Sequence, residues 1–243
     1  MDNSYDQIIP KVGLGTYNMD SKESEFMTYE AIKYGYRHID TAAVYKNEDG
    51  VSRALERIFN ETQLKREDIF ITTKLWPGGL IKLDRVRDYK DTLKSFEKSL
   101  MRLNLEYIDL YLIHSPHGKS KRIEQWKSLM NLKESGKVKY IGVSNWGINH
   151  INELKENNLP LPDANQIEIH PWSQKPELVK YLRENNIDII AYSSLVPLSS
   201  WRHKDGENSK KTDQMYKIGE SENSPFKLLA QKYLSLIHIS EPT

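Results

Sequence analysis

The sequence contains no cysteine. That excludes disulfide bonds, thiolate metal sites and a cysteine nucleophile, and it fits a reducing compartment. An excess of either charge is missing too: 35 Lys and Arg against 34 Asp and Glu leave a formal net charge of +1. Bulk electrostatics therefore gives no reason to expect nucleic acid or an acidic membrane surface as a partner. No run approaches the ~18 consecutive apolar residues of a membrane span, and Met1–Lys11 lacks the apolar core of a secretory signal. The expectation is a soluble cytoplasmic protein. A glycine-rich dinucleotide loop is also absent, because Gly13-Leu14-Gly15 has no third glycine at the required spacing.

What is present is an ordinary balance, 38% hydrophobic and 28% charged, in 243 residues. That length allows one large domain or two small ones. Short apolar runs alternate with amphipathic segments. Strands are expected at Val12–Gly15, Tyr36–Asp40, Ile69–Lys74, Tyr107–His114, Val138–Val143, Ala164–Ile169 and Asp188–Tyr192. Helices are expected at Ser21–Tyr34, Asn47–Phe59, Tyr89–Leu103, Ile123–Ser135, Ile148–Asn157, Glu177–Asn185 and from Phe226 to Leu234. In the first helix Asp20 or Ser21 caps the start, Met27, Ala31 and Tyr34 share a face, and Gly35 stops it. In the third, Tyr89, Leu93, Phe96, Leu100 and Leu103 form one stripe. The Tyr107–His114 run is apolar except for Asp109, as in a strand covered on both faces. Ser199–Ser224 is rich in charge and reads as a solvated loop, the alternative being a flap over a bound cofactor.

Alternating strands and helices mean a parallel sheet, either doubly wound or closed into a (β/α)8 barrel. Polar and titratable residues gather at the C-terminal ends of many strands: Asp40, Lys74, His114, Ser144, Asn145, Gln166 and Tyr192. A barrel builds its site at that face from many strand ends, so the barrel is the expected α/β fold.

Asp40, Tyr45, Lys74 and His114 would then share one pocket. Carbonyl reduction needs a hydride at carbon and a proton at oxygen. A tyrosine hydroxyl, with a reference pKa of about 10, is a poor acid near neutrality. The Lys74 ammonium is expected to lower it, Asp40 to hold Lys74, and His114 to donate to the carbonyl oxygen.

The local sequence resembles the aldo-keto reductase family. Gly35-Tyr36-Arg37-His38-Ile39-Asp40-Thr41-Ala42, then Tyr45 and Asn47-Glu48, is similar to the family signature. So are Ile71-Thr72-Thr73-Lys74-Leu75-Trp76, Asp109-Leu110-Tyr111-Leu112-Ile113-His114, Ile141-Gly142-Val143-Ser144-Asn145, Asn165-Gln166-Ile167-Glu168-Ile169-His170-Pro171 and Ala191-Tyr192-Ser193, in family order. The resemblance implies NADPH-dependent reduction of a small-molecule aldehyde or ketone. Tyr45 would be the general acid, completed by Lys74, Asp40 and His114. Ser144, Asn145 and Gln166 would hold the nicotinamide carboxamide and Tyr192 would stack on its ring. Asp40, Thr16 and Tyr17 would line the NADP site, and Ser193 and Leu195 would touch the pyrophosphate. Trp76, His114 and Trp172 would face the substrate, the two tryptophans being either pocket walls or ordinary rim packing. The resemblance sets neither the carbonyl substrate nor the oligomeric state.

The pattern departs from the family after Leu234. The expected eighth strand, last helix and 2′-phosphate-gripping residues do not follow. Ser235-Leu236-Ile237-His238-Ile239-Ser240-Glu241-Pro242-Thr243 resembles translated sequencing-adapter sequence. Residues 1–234 are therefore expected as an incomplete barrel domain and 235–243 as a non-native tail. An open barrel edge would make such a chain poorly soluble. Two rival readings stand beside the reductase. A metal-dependent hydrolase could use His38, Asp40, His114, His117 and His170, although no His-x-His pair is present. A non-catalytic NADPH-binding regulatory protein could share the fold.

Overall fold

A computed structural model describes residues 9–81, 84–171 and 173–194 together with scattered positions between 217 and 232. Seven strands form one sheet in the order of the sequence, β1-β2-β3-β4-β5-β6-β7. They are β1 (Leu14–Gly15), β2 (His38–Asp40), β3 (Phe70–Leu75), β4 (Ile108–Ile113), β5 (Val138–Ser144), β6 (Ala164–Glu168) and β7 (Asp188–Tyr192). The pairings from β1 through β6 are parallel. Between the strands run α1 (Ser21–Lys33), α2 (Glu48–Glu61), α3 (Tyr89–Leu103), α4 (Arg122–Glu134), α5 (Ile148–Glu156) and α6 (Pro176–Glu184). Unbroken sequential order without a reversal is the topology of the (β/α) barrel class, not of a doubly wound sheet.

Two compact units divide the chain, one of Met1–Gln166 with Tyr181–Ile189, the other of Ile167–Lys180 with Ile190–Thr243. The first holds β1 through β5, the start of β6 and α1 through α5. The second holds the end of β6, an antiparallel bridge between His170 and Ser173, and the end of β7. Of the expected helix from Phe226 to Leu234 only Lys227, Leu228, Gln231 and Lys232 are described, all helical; most of the Ser199–Ser224 segment and the 235–243 tail lie outside the described residues.

Strand burial follows from the covering layer of helices. All six residues of β4 are buried, Asp109 among them. Its carboxylate is matched by Arg66 at 2.6 Å, Lys139 at 2.9 Å and the Ile71 amide at 2.9 Å. A buried charge with that many partners is tolerated where a lone one is not. α3 is bounded as expected, with Phe96 and Leu103 fully inside and the Asp88 side chain capping Asp91 N.

α1 differs from expectation in the face it buries. Asp20 caps it through a capping box and Gly35 follows with φ +96°. The buried residues, however, are Ser24, Thr28, Tyr29 and Ile32, while Met27 and Tyr34 are exposed. The reason lies in α2. A Cβ added at Gly50 would stand 2.1 Å from the Ser21 carbonyl oxygen. The two helices approach backbone to backbone, so the contact takes small side chains such as Ser24 and Thr28, while Met27 and Tyr34 are left outside.

Candidate active site

β2 and β3 lie side by side, with Asp40 paired in register to Thr72. Alternation along β2 sends Ile39 to one face and His38 and Asp40 to the other; along β3, Thr72 and Lys74 share a face. His38 Nε2 meets Thr72 Oγ1 at 2.9 Å, and Lys74 Nζ donates to Asp40 Oδ1. Lys74 is 1% exposed and also donates to the Thr41 carbonyl at 2.9 Å. Its charge is thus neutralised and fixed in direction. A buried lysine without such partners would lose its proton.

Tyr45 ends a short 3-10 turn over Ala43–Tyr45 that follows β2. The Lys74 ammonium lies 5.2 Å from the centroid of its ring. The ring also packs edge-on against Tyr17 at 5.2 Å and His114 at 5.5 Å. Burial pushes the Tyr45 hydroxyl well above its ordinary value, with the charges of Asp40 and Tyr17 acting in the same direction. This reverses the expected lowering by Lys74. The ammonium is already matched by Asp40, whose negative charge adds to the effect of burial at the hydroxyl.

His114 follows β4, its amide bonded to the Leu75 carbonyl at 3.0 Å. Burial and then the Lys74 charge lower its pKa to about 3, against an opposing contribution from Asp40. The imidazole is therefore neutral across the ordinary pH range. Its Nδ1 is buried without a hydrogen-bond partner among the described residues.

A chain of hydrogen bonds runs on to β5 and β6. Gln166 Nε2 donates to Asp40 Oδ2 at 2.7 Å. The Gln166 carbonyl accepts from Ser144 Oγ and from the Asn145 amide, each at 2.9 Å. Asn145, held at φ 62°, donates through Nδ2 to Ser144 Oγ and to the His114 carbonyl, both at 3.1 Å. Lys74, Asp40, Gln166, Ser144, Asn145 and the His114 backbone thus form one connected set, all within the first unit. Asn145 is exposed beside this chain, and amide donors and acceptors of this kind fit a carboxamide such as that of nicotinamide.

The remaining expected positions divide. Thr16 is fully buried and its hydroxyl donates to Asn47 at 3.3 Å. Trp76 is edge-on to His114 at 5.8 Å and donates through Nε1 to Asp84 at 2.8 Å. Tyr192 and Ser193, the latter at φ 54°, belong to the second unit. Trp172 and Leu195 lie outside the described residues. Among the rival metal donors, His38 is bonded to Thr72 and His117 to Ser115 Oγ at 2.8 Å. No group of three candidate ligands converges among the described residues.

Sequence reasoning places Asn47, Glu48 and Thr73 within its motifs but gives them no role, and it passes over Arg102. Glu48 is fully buried, accepting from Thr73 Oγ1 at 2.6 Å and pairing with Arg102 at 2.6 Å. The signal was available: a carboxylate one turn after Tyr45 and a hydroxyl adjacent to Lys74.

Comparison with known proteins gives the family. The Aldo/keto reductase family matches residues 11–238. The chain is 41% identical to the glyoxal reductase of Bacillus subtilis over 77% of its own length and 64% of that protein's. It is 38% identical to the methylglyoxal reductase of Yersinia pestis, over 78% and 64% respectively. The chain thus spans a little under two thirds of these relatives. A solved Bombyx mori aldo-keto reductase in complex with NADP superposes with a TM-score of 0.77 at 32% identity, covering 93% of this chain and 73% of that one. The chain belongs to the aldo/keto reductase family.

Proposed function

We propose that this chain carries the catalytic site of an NADPH-dependent reductase that converts an aldehyde or ketone to the alcohol. The observation that carries the reading is the grouping of Tyr45 and His114 around the buried Lys74–Asp40 pair. Two relatives named for glyoxal and methylglyoxal reduction favour a small α-dicarbonyl as the acceptor. The Bombyx mori neighbour bound to NADP supports the choice of cofactor.

NADPH, when bound, supplies the hydride to the carbonyl carbon. Tyr45 delivers the proton to the carbonyl oxygen. Burial disfavours the phenolate, so the hydroxyl carries the proton at working pH, and the same shift makes it a weaker acid that gives the proton up only as negative charge develops on the carbonyl oxygen. Lys74 and Asp40 hold a fixed dipole beneath the ring. His114, neutral, offers a hydrogen bond to the same oxygen without a competing charge. Ser144, Asn145 and Gln166 would hold the nicotinamide carboxamide, with Thr16, Tyr17, Tyr192, Ser193 and Leu195 contributing to the rest of the NADP site. Trp76 and Trp172 would wall the acceptor pocket.

The test is Tyr45→Phe, assayed by NADPH oxidation with methylglyoxal. Loss of a general acid costs about 10²–10⁴-fold in rate, and NADPH binding should persist. A variant that reduces methylglyoxal at the parent rate overturns the assignment. A parent chain that binds NADPH yet oxidises it with no aldehyde or ketone favours the regulatory reading.

A further inference from the structure

Asn47 stands at the N-cap of α2. Asparagine there ordinarily turns its side chain forward and accepts from the helix's own free N–H groups. Here no such bond is made. The carboxamide points back, away from the helix. Nδ2 donates to the carbonyls of Thr16 at 2.8 Å and Met19 at 2.9 Å. Oδ1 accepts from the hydroxyls of Thr41 at 2.9 Å and Thr16 at 3.3 Å. A carboxamide has two donor hydrogens and two lone pairs, so all four are used, and the residue is fully buried.

The partners are what give this arrangement meaning. Thr41 follows Asp40, and its carbonyl is the second acceptor for the Lys74 ammonium. Thr16 precedes Tyr17, whose ring packs edge-on against Tyr45. Tyr45 lies two residues before Asn47, and Lys46 between them is held in the left-handed region at φ 59°. One amide therefore ties together the end of β1, the end of β2 and the turn that carries Tyr45. A generic helix cap would leave those three segments to find their own spacing.

We propose that Asn47 is a positioning residue that sets the placement of Tyr45 relative to Lys74, acting through Thr41 and Thr16. The proposal rests on the reductase reading above, and its test separates the two. Asn47→Asp keeps the shape but turns an acceptor oxygen toward the Thr16 and Met19 carbonyls, which repels until the new carboxyl gains a proton. With NADPH and methylglyoxal, kcat near neutral pH should fall about 10–100-fold, the scale of a misplaced catalytic group. KM should change far less, and the rate should recover as the pH is lowered. An unchanged kcat and pH profile, with only a lower melting temperature, overturns the proposal.

A second pair guards against misfolding of that variant. Thr41→Val removes one hydroxyl from the network and should lower kcat several-fold, whereas Thr41→Ser keeps the hydroxyl and should restore it. Equal rates for the two overturn the proposal. Should the parent chain turn over no carbonyl at all, the reductase reading fails on its own account. NMR of carbon-labelled tyrosine then decides, the Tyr45 signal being the one lost in Tyr45→Phe. A shift of that signal in Asn47→Asp supports positioning, and an unmoved signal overturns it.

Discussion

Gln166 donates through Nε2 to Asp40 Oδ2 at 2.7 Å across 126 residues of sequence. The other oxygen of Asp40 takes the Lys74 ammonium. β6 is thereby joined to β2 by a side chain, although the two strands are not neighbours in the sheet. Gln166→Leu should leave Asp40 with one donor and cost about 1.5–3 kcal/mol, the range for a hydrogen bond to a charged group. Urea denaturation of the two proteins measures this. Indistinguishable midpoints would mean that water replaces the amide.

The Lys74–Asp40 pair makes a sharper prediction. Lys74 is 1% exposed, so Lys74→Met strands a carboxylate that loses its cation. Breaking a buried pair costs about 3–5 kcal/mol, and the partial exposure of Asp40 places this case toward the lower figure. The double variant Lys74→Met with Asp40→Leu should regain most of that loss, because no lone charge remains. Reduction should be absent in both. A double variant less stable than the single one would show that the pair stabilises the fold outright.

The lowered pKa of His114 sets a pH dependence of stability. Its folded value is about 3 against an ordinary 6.5. Above pH 6.5 neither folded nor unfolded chain binds the proton, and the residue is indifferent. As the pH falls below 6.5 the unfolded chain takes up a proton that the folded one refuses, so stability declines down to about pH 3. His38 is also lowered by burial and adds to the same slope. Replacing His114 with Gln should flatten the fall in denaturation midpoint between pH 7 and pH 5 while leaving the share due to His38. A slope unchanged by the substitution would refute the burial argument.

Strand and helix positions were legible because period and punctuation agree. α3 and β7 carry their expected bounds, and the other strands differ by a residue or two at the ends. The polar residues at strand ends, read as one cluster, include the connected set Lys74, Asp40, Gln166, Ser144 and Asn145. What stayed hidden came from contacts that apolar patterning does not encode. The buried face of α1 includes Ser24 and Thr28 beside Tyr29 and Ile32, and Gly50 is what lets a backbone come close enough for the small pair. The sign of the shift at Tyr45 is set by burial first and by the Asp40 charge next, and depth of burial is not written in the sequence. Asn47 reads as the first residue of a helix, and only coordinates reveal that its amide turns away from that helix to Thr16, Met19 and Thr41.

Trp76 offers the last test, one of specificity. Its indole N–H is held by Asp84 at 2.8 Å, so the ring beside His114 has no free donor. Asp84 in turn sits in a segment whose neck is closed by Gln125, donating to the Pro77 carbonyl at 3.1 Å and the Arg87 carbonyl at 2.8 Å. Gly78 within it, at φ +77°, would place a Cβ 2.1 Å from the Arg85 carbonyl oxygen, so the turn needs glycine. Asp84→Ala frees the indole without touching the reacting groups. An aromatic aldehyde that packs on the ring would lose an aromatic contact of about 0.5–1.5 kcal/mol, roughly a 2–10-fold rise in KM at 1.4 kcal/mol per decade. Methylglyoxal, too small to cover the indole, should keep its KM, because the set around Lys74 and Tyr45 is unaltered. Equal changes for the two acceptors would mean that Trp76 packs the rim and does not sort substrates.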